Sequence, residues 1–456
     1  MAMTEARESE TAKLVAALRA ELGETTLTTD PDVLAGHTTD WTRRFSGPAA
    51  GLVRPSTTEE VVQVMAACNS LGIPVIPQGG NTSMVAGSVP TGAEDWQDRP
   101  LPIILSTLGL RRLDPVDTLT GTLTVGAGVT LAEVQHQAAT AGWLYGVDLG
   151  ARDTATIGGT CATNAGGIRV CAYGMTRRQV IGLEVVLADG SVISRLGGLP
   201  KDNTGYDLNG LMVGSEGTLG VITAVRLQLH SPPGPSTLAL VGVESMAAAL
   251  DLVASSVPAG EHLLGAEIID AAGMALIAEV ADLPNPLASP WPYVLLVEAT
   301  GDWLDLPDES DAVVGMDHAA RAKLWAYREK QPEAISTLGI AHKLDISVPL
   351  AHLDALTQGA RELVPPDAVI IVFGHLRDGN LHVEIAGVPA DDRELDHAIF
   401  ELAAGLGGVL SAEHGVGRAK AAWLHMSRSE AEIATMRSIK SSLDPVGILN
   451  PGALLV

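Results

Sequence analysis

Glycine provides 49 of the 456 residues, and it is concentrated in three segments that restrict the possible folds more than any other feature. These segments are "QGGNTS" (78–83), "TIGGTCATNAGG" (156–167) and "GSEGTLGVIT" (214–223). Consecutive glycines allow successive backbone N–H groups to point toward one place and form an anion-binding concavity. Three such segments in one predicted domain favour a long ligand that contains a pyrophosphate. Each segment taken singly is also compatible with an ordinary tight turn.

Two further glycines, in "VGAGVTLAE", do not indicate a nicotinamide dinucleotide site. Gly126 and Gly128 follow a predicted strand, but "VTL" after them supplies no third glycine. The Rossmann fingerprint needs that third glycine for close packing between helix and strand. The sequence therefore argues against a Rossmann domain.

The charge of the chain excludes some partners. Lys and Arg number 29 against 54 Asp and Glu, so the formal net charge is −25. A surface this acidic repels nucleic acid and anionic membranes. A small anionic substrate would need a locally basic pocket.

Cysteine usage and hydropathy predict a soluble cytoplasmic protein. Cys68, Cys161 and Cys171 form no C-x-x-C pair and cannot all be bridged, which suits a reducing compartment. The first 22 residues carry charge throughout and lack the apolar core of a signal peptide. No apolar run approaches the roughly 18 residues of a membrane span, so no integral membrane segment is expected.

The order of predicted elements gives an α+β fold with three parts. The proline-rich "SPPGPS" (231–236) predicts a boundary after a first domain of residues 1–230, which begins with a helix over 1–23. Residues 236–410 form a second domain with strands at "TLALVGV", "YVLLVEAT", "HKLDISVP" and "AVIIVFGHL" and helices near 245–255, 316–338, 349–362 and 391–405. Antiparallel hairpins within this alternation favour an α+β layer. Residues 411–456 form a C-terminal helical segment.

Two histidines flank a strong hairpin signal in "GHLRDGNLHVEI" (374–385). Asp378-Gly379 predicts a two-residue type I′ turn, which would place His375 directly opposite His382 on one face of the hairpin. Two imidazoles in that arrangement could share a metal ion. A solvated polar face is the alternative, and this segment alone does not decide between them.

The motifs in order resemble a known flavoprotein family. "PVIPQGGNTSMVAGSVP", "IGGTCATNAGGIRVCAYG", "GLEVVLADGSVI" and "KDNTGYDLNGLMVGSEGTLGVIT" resemble the FAD-binding domain of the vanillyl-alcohol oxidase/p-cresol methylhydroxylase superfamily, which has two subdomains. "HKLDISVP", "GHLRDGNLH" and "SAEHGVGRAK" resemble its D-2-hydroxy-acid dehydrogenase branch. The resemblance covers about residues 40–456 and implies an FAD-binding domain followed by a substrate-binding cap domain.

The resemblance also implies which residues bind FAD. Those for the diphosphate and ribityl chain are Gln78, Gly79, Gly80, Asn81, Thr82, Ser83, Gly87, Ser88, Gly158, Gly159, Thr163, Asn164 and Gly167. Those for the adenine side are Glu216, Gly217 and Ile222, and Asn450 in "ILNPG" would return near the flavin. Some superfamily members attach FAD covalently through histidine. Residues 78–90 and 146–175 contain no histidine, so we expect non-covalent FAD.

The same resemblance implies a metal site and a catalytic base. His375, His382 and Glu413 would bind a divalent metal, usually zinc, and His414 would be the base. Arg328 and Lys343 occupy positions that hold substrate carboxylates in the family. A second candidate for the third ligand is Glu384, because it lies two residues after His382 and shares its face of a regular strand.

Three residues depart from the pattern of the relatives that act on 2-hydroxyglutarate. Pro332 stands where they carry threonine, Glu384 where they carry asparagine, and Arg377 where they carry glycine. A carboxylate at position 384 would repel an anionic substrate, whereas Arg377 could supply a different carboxylate contact. The expected substrate is therefore a D-2-hydroxy acid: D-2-hydroxyglutarate, D-lactate or D-malate.

The expected reaction is transfer of hydride from C2 of the substrate to FAD, assisted by the metal and the histidine base. Electron-transferring flavoprotein or a quinone would then accept the electrons, and the resemblance allows a homodimer. A zinc hydrolase is a rival from another class, but it leaves the three glycine-rich segments unexplained. A flavin-dependent transferase of the alkyl-glycerone-phosphate synthase type is the alternative within the superfamily.

Overall fold

The computed structural model describes residues 2–22, 27–92, 96–199 and 201–456. The chain divides into two compact units. The first contains Met1–Ala165, Met175–Ser231 and Glu413–Val456, and the second contains Gly166–Gly174 and Pro232–Ala412. The units are not consecutive blocks of sequence, because a short internal segment groups with the second and the C-terminal segment groups with the first.

Strands and helices are numbered in chain order. The strands are β1 (Leu27–Thr28), β2 (Gly51–Val53), β3 (Val75–Gln78), β4 (Ile103–Ser106), β5 (Thr122–Gly126), β6 (Val180–Val186), β7 (Val192–Ser194), β8 (Val221–Gln228), β9 (Ser236–Val243), β10 (Leu263–Asp270), β11 (Tyr293–Thr300), β12 (Ala312–Gly315), β13 (His342–Ser347), β14 (Val369–His375) and β15 (Asn380–Ala386). The α-helices are α1 (Ala2–Leu22), α2 (Pro31–Ala35), α3 (Thr58–Leu71), α4 (Leu131–Thr140), α5 (Ile157–Thr163), α6 (Val170–Tyr173), α7 (Thr176–Gln179), α8 (Leu208–Met212), α9 (Met246–Ser256), α10 (Ala271–Val280), α11 (His318–Glu329), α12 (Gln331–Ser336), α13 (Leu353–Leu363), α14 (Arg393–Gly405) and α15 (Glu430–Leu443).

The first unit contains two four-stranded sheets, in agreement with the expected two subdomains. One has the order β1-β2-β4-β3, with parallel pairing of β2 and β3 to β4, and the other is antiparallel with the order β5-β8-β6-β7. The C-terminal segment returns to this unit, where Leu449 bridges Val75 at the edge of β3. A continuous core of Val, Leu, Ile and Ala packs the helices onto these sheets.

The second unit is built on one seven-stranded antiparallel sheet with the order β12-β9-β11-β10-β14-β15-β13. This confirms the antiparallel α+β prediction. Apolar residues of α10, α11 and α12 cover one face of the sheet, together with Ile269, Ile371 and Phe373 from its strands. The same face carries the candidate site.

Local signals explain where several helices begin and end. Helix α3 begins after Thr57, whose side chain accepts from the N–H of Glu60, and it ends at left-handed Gly72, as the sequence predicts. The helix expected over 316–338 is instead two helices, α11 and α12, separated at Lys330. Pro332 lies in the first turn of α12, where its missing N–H has no intrahelical partner to lose. The presence of proline at position 332 is therefore explained by its place at the start of this helix.

The C-terminal part is only partly helical. Residues 411–420 form turns, Ala421–Met426 is a 3-10 helix, and α15 is the long helix of the segment. Lys440 on α15 is largely buried, and its ammonium donates to the carbonyl oxygens of Thr218 (2.8 Å) and Leu449 (2.7 Å) and pairs with Asp444. Burial lowers the pKa of Lys440, and the bond to Asp444 opposes that shift.

We expect Lys440→Met to destabilise the first unit by about 2–3 kcal/mol, because it leaves a buried carboxylate without its cation and two carbonyls without their donor. Urea unfolding followed by circular dichroism measures the change. Arg437→Met is the matched control, since it removes one charge from an exposed position of the same helix. Equal midpoints for the two variants would contradict this role for Lys440.

Candidate functional site

The three glycine-rich segments converge within the first unit, apart from Gly166 and Gly167, which belong to the second. A Cβ atom on Gly80 would lie 1.8 Å from the carbonyl oxygen of Thr154, just before the second segment, so only glycine allows the chain to approach so closely here. The third segment joins the second through backbone bonds from Gly214 to Cys161 (2.9 Å) and from Glu216 to Ala162 (2.8 Å). The structure therefore makes one surface from three separate motifs, as their composition predicts.

The polar side chains of the first loop hold the loop itself in place. The amide nitrogen of Gln78 donates to the carbonyl oxygens of His37 (2.9 Å) and Ser88 (2.8 Å), and its oxygen contacts the His37 ring. Asn81, at φ +53°, donates to the carbonyl of Thr39 and accepts from the Ser88 hydroxyl, both at 2.9 Å. These side chains therefore brace the loop rather than extend from it.

The backbone of this loop has several donors that are not used within the part of the chain that the structure describes. Within the described residues, the N–H groups of residues 79–84 have no hydrogen-bond acceptor. The hydroxyl of Ser83 accepts instead from Val85 and Gly87, at 3.3 and 3.4 Å. A run of N–H groups without acceptors is the arrangement that binds phosphate oxygens. The loop thus fits a diphosphate through its main chain.

The remaining predicted cofactor residues are placed as follows. Thr163, in α5, donates to the carbonyl of Gly159 (3.1 Å). Asn164 ends α5 in the left-handed region and accepts from the N–H of Arg177 (2.9 Å). Gly158 packs on Ala127, Gly217 lies against Pro77, and Ile222 is buried in β8. Gly167 belongs to the Gly166–Gly174 segment of the second unit.

Glu216 and Asn450 connect the third segment to the C-terminal part of the chain. The Glu216 carboxylate accepts from the N–H groups of Val416 (2.8 Å) and Gly417 (2.6 Å). Burial raises the pKa of Glu216, and these two donors oppose the shift. Asn450 donates to the carbonyls of Gly87 (2.8 Å) and Glu216 (2.7 Å). The polar atoms of both side chains are therefore used in contacts within the protein, and these contacts position the first and third glycine-rich segments.

The second unit carries polar side chains on one face of its sheet. Cross-strand pairing defines three rows: Ser347–Asn380–His375–Glu267, Asp345–His382–Phe373–Ile269 and Lys343–Glu384–Ile371. Directly paired residues share a face, so all of these side chains point the same way. Apart from Ser347, the polar members of the rows are buried. The solvated-face alternative is therefore wrong.

The predicted turn register was also wrong. His375 pairs with Asn380, and Phe373 is the residue opposite His382. The loop contains a 3-10 turn, Leu376–Asp378, followed by Gly379 at φ +69°, so it has four residues rather than two. The two histidines still share a face because they are diagonal neighbours, and their ring centroids lie 5.4 Å apart. Arg377 is exposed in this loop.

Glu267 connects the main candidate residues and was not predicted from the sequence. Its carboxylate contacts His375 Nδ1 through Oε1 (2.6 Å) and accepts from Arg328 Nε through Oε2 (2.6 Å). Arg328 also lies over the Phe373 ring, 4.6 Å from its centroid. Glu267 is only 1% exposed, so this carboxylate balances a buried cation and orients an imidazole at once.

Asp345 is the buried carboxylate that lies beside His382. Its Oδ1 lies 3.7 Å from His382 Nδ1 and accepts from the Asn380 amide (2.8 Å). Its Oδ2 accepts from the N–H of Ala412 (3.0 Å). The chain is thus fixed beside Asp345 at Ala412, and the predicted Glu413 and His414 are the next two residues.

Lys343 and Glu384 form a buried ion pair. They lie opposite each other on β13 and β15, and the Lys343 ammonium contacts Glu384 Oε2. Lys343 is 8% exposed and Glu384 is 4% exposed. The structure thus places Glu384 on the same buried face as His382, with its charge opposed by lysine.

The cysteines are not candidates for covalent chemistry. All three are free, and burial raises the pKa of the Cys68 and Cys171 thiols to about 12 and raises that of Cys161 further. A thiol with so high a pKa is not a nucleophile at neutral pH. No helix in the described ranges is long and apolar enough to cross a bilayer.

Family models match both parts of the chain. The FAD binding domain model covers residues 49–195, and the C-terminal domain model of FAD linked oxidases covers residues 233–454. These matches define a flavoprotein that binds FAD.

Comparison with known proteins specifies the family further. The chain is 38% identical over 444 residues to the mitochondrial D-2-hydroxyglutarate dehydrogenase of Danio rerio, which covers 93% of this chain and 81% of the relative. It is 39% identical over 449 residues to the same enzyme of Bos taurus, with 94% and 80% covered. The chain therefore belongs to the family of FAD-linked D-2-hydroxy-acid dehydrogenases.

Solved structures agree at the level of fold. An alkyldihydroxyacetonephosphate synthase superposes with a TM-score of 0.73 at 18% identity, covering 96% of this chain and 85% of that one. A p-cresol methylhydroxylase with bound substrate superposes with a TM-score of 0.71 at 18% identity, covering 97% and 96%. These matches confirm the expected fold class.

The comparisons correct the expected cellular location. The Danio rerio and Bos taurus relatives, among others, are named mitochondrial. These names point to the mitochondrion, so the prediction of a cytoplasmic protein was wrong. The prediction rested on cysteine usage and on the lack of a signal-peptide core or a long apolar run, and none of these features is specific to the cytoplasm.

We expect Gly80→Ala to weaken FAD binding by about tenfold or more, because the new methyl group would collide with the Thr154 carbonyl and displace the loop. Titration of the apoprotein with FAD, followed by quenching of flavin fluorescence, gives the dissociation constant. Gly150→Ala is the matched control, since a Cβ atom there meets nothing within 4 Å. Unchanged affinity in the Gly80 variant would show that this close approach does not shape the FAD site.

Proposed function

We propose that this protein oxidises a D-2-hydroxy acid to the corresponding 2-oxo acid, with FAD as hydride acceptor. The observation that carries the proposal is the buried arrangement of Glu267, His375 and His382 on the sheet of a chain that also binds FAD. The names of the relatives indicate the same substrate class. We propose that FAD is bound non-covalently.

The residues present fit a divalent metal, and we propose zinc. His375 faces Glu267 through Nδ1, which makes Nε2 the nitrogen that would bind the ion. A carboxylate behind a metal-binding histidine fixes the ring and its tautomer. His382 supplies the second imidazole, and Glu413 is proposed as the third ligand because the family resemblance assigns that role to the glutamate of "SAEHGVGRAK".

Charge on this face also favours a cation. Arg328 is balanced by Glu267 and Lys343 by Glu384, while Asp345 adds a further buried carboxylate. With both histidines neutral, these five charged side chains together carry one net negative charge. A bound divalent ion would change this to one net positive charge. Glu384 is less suited to be the third ligand than Glu413, because its carboxylate already faces Lys343.

Each group has a distinct task in the proposed reaction. The metal, when bound, supplies Lewis acidity that favours ionisation of the substrate hydroxyl, and the flavin accepts the hydride from C2. His414 takes the hydroxyl proton. Arg328 and Lys343 are the proposed partners of the substrate carboxylate groups, and their charges are already balanced by Glu267 and Glu384. Glu267 also orients His375.

The alternatives are less well supported. A zinc hydrolase would leave the FAD-binding domain without a role. A transferase of the alkyl-glycerone-phosphate synthase type shares the fold, but at 18% identity that likeness concerns the fold alone. We propose electron-transferring flavoprotein or a quinone as the electron acceptor and a homodimer as the assembly.

The function is tested by anaerobic mixing of the enzyme with D- and L-2-hydroxy acids while flavin bleaching is recorded. We expect reduction by D-isomers only. His382→Ala should lower the bound metal content and slow flavin reduction by about 100-fold or more while FAD stays bound, because a metal ligand is lost. His397→Ala, at a half-exposed position of α14, is the control. Full activity of metal-free protein would exclude the metal mechanism.

We expect His414→Ala to slow flavin reduction by roughly 10²–10⁴-fold, the usual contribution of a general base, with little change in the dissociation constant of the substrate. Stopped-flow measurement over a range of substrate concentrations separates the two quantities. His425→Ala, which alters an exposed histidine further along the chain, should leave both unchanged. A weaker substrate affinity with an unaltered limiting rate would assign His414 to binding instead.

A further inference from the structure

The buried pair of Lys343 and Glu384 lies next to the proposed metal site. The row that contains this pair is adjacent to the row of Asp345 and His382 on the same face. Adjacent rows on one face are two residues apart, or about 6.6 Å at the usual rise per strand residue. A small acid held at His382 by its C1 carboxylate and C2 hydroxyl can therefore reach this pair with its distal end.

A second substrate carboxylate would need a positive charge that is not already balanced. The two cations on this face are each paired with a glutamate. Lys343 faces Glu384, and Arg328 faces Glu267. A dicarboxylate would bring another negative charge beside the buried carboxylate of Glu384. Burying a charge without a dedicated partner is unfavourable, and a neighbouring like charge makes it more so.

We propose that Glu384 is a specificity-determining residue that selects D-2-hydroxy monocarboxylates with an uncharged distal end and rejects dicarboxylates. It does so by neutralising Lys343, which would otherwise attract a distal carboxylate. The inference rests on the proposed function and narrows its substrate class. A preference for monocarboxylates would distinguish this chain from the relatives named for D-2-hydroxyglutarate, which is a dicarboxylate.

The test measures binding of product acids rather than turnover. Isothermal titration of the metal-loaded holoenzyme with 2-oxobutyrate and 2-oxoglutarate compares a monocarboxylate with a dicarboxylate that share the same 2-oxo acid end. For the wild type we expect binding of 2-oxobutyrate to be about tenfold tighter or more, as expected for one uncompensated charge in a partly screened site. Glu384→Gln should strengthen 2-oxoglutarate binding by about the same factor, with 2-oxobutyrate changed by less than about threefold.

A matched control separates local from global charge effects. Glu401→Gln removes the same charge from an exposed position of α14 and should leave the ratio of the two affinities unchanged. Glu384→Asn serves as a second variant if the glutamine variant does not fold, and the wild-type preference tests the proposal by itself. A merely structural role for the pair would change both affinities alike.

Two results would overturn the inference. One is a wild-type enzyme that binds 2-oxoglutarate more tightly than 2-oxobutyrate, and the other is an unchanged ratio in both Glu384 variants. Failure of the proposed function has a different signature, because then no D-2-hydroxy acid of either class would bleach the flavin. If D-2-hydroxyglutarate bleaches the flavin best, the function stands and the role of Glu384 is lost.

Discussion

The candidate site of the second unit depends on one buried carboxylate. Glu267 reaches two partners at 2.6 Å, the guanidinium of Arg328 on α11 and the imidazole of His375 at the end of β14. A buried cation needs a counter-charge, and a histidine ligand needs a partner for its second nitrogen. Because one side chain meets both needs, the helix that covers the sheet and the hairpin that carries the histidines are held in a fixed relation. Removal of Glu267 would leave Arg328 buried and uncompensated.

The FAD-binding unit follows a different physical rule. Its first loop has main-chain N–H groups without acceptors among the described residues, and its side chains hold the loop in place. Gln78 and Asn81 bind neighbouring carbonyls, and Asn450 joins the first loop to the third. Backbone donors have no side-chain freedom to lose, so a braced loop is already organised for a diphosphate. The residues that the family resemblance assigns to FAD therefore divide into those that present the backbone and those that hold it.

The sequence predicted the face that His375 and His382 share, but it did not predict the register of their strands. Histidines 375 and 382 were found from spacing, and their shared face survived the error in the turn, because a shift of two positions preserves the side on which residues lie. The register itself was wrong because Asp378-Gly379 is compatible with more than one loop, and Gly379 needs its positive φ in either. Glu267 was missed for another reason. It lies in "LLGAEIID" over 100 residues from His375, and no local signal marks a glutamate as the partner of a distant histidine.

The sequence by itself determined the local features of the structure. These are the glycines at positions where a Cβ atom would collide, the capping residues and proline at helix starts, and the alternation of residues in strands. The sequence also determined the ordered motifs that identify the flavoprotein family. These are readable because each depends on residues close in the chain. Tertiary structure alone decided the pairings between distant strands, and with them the charge on the buried face. Whether Lys343 attracts a substrate carboxylate or is neutralised by Glu384 depends on β13 lying opposite β15 in one register. Electrostatic interactions act through space, so the charge that a ligand meets is set by residues brought together only when the sheet has formed.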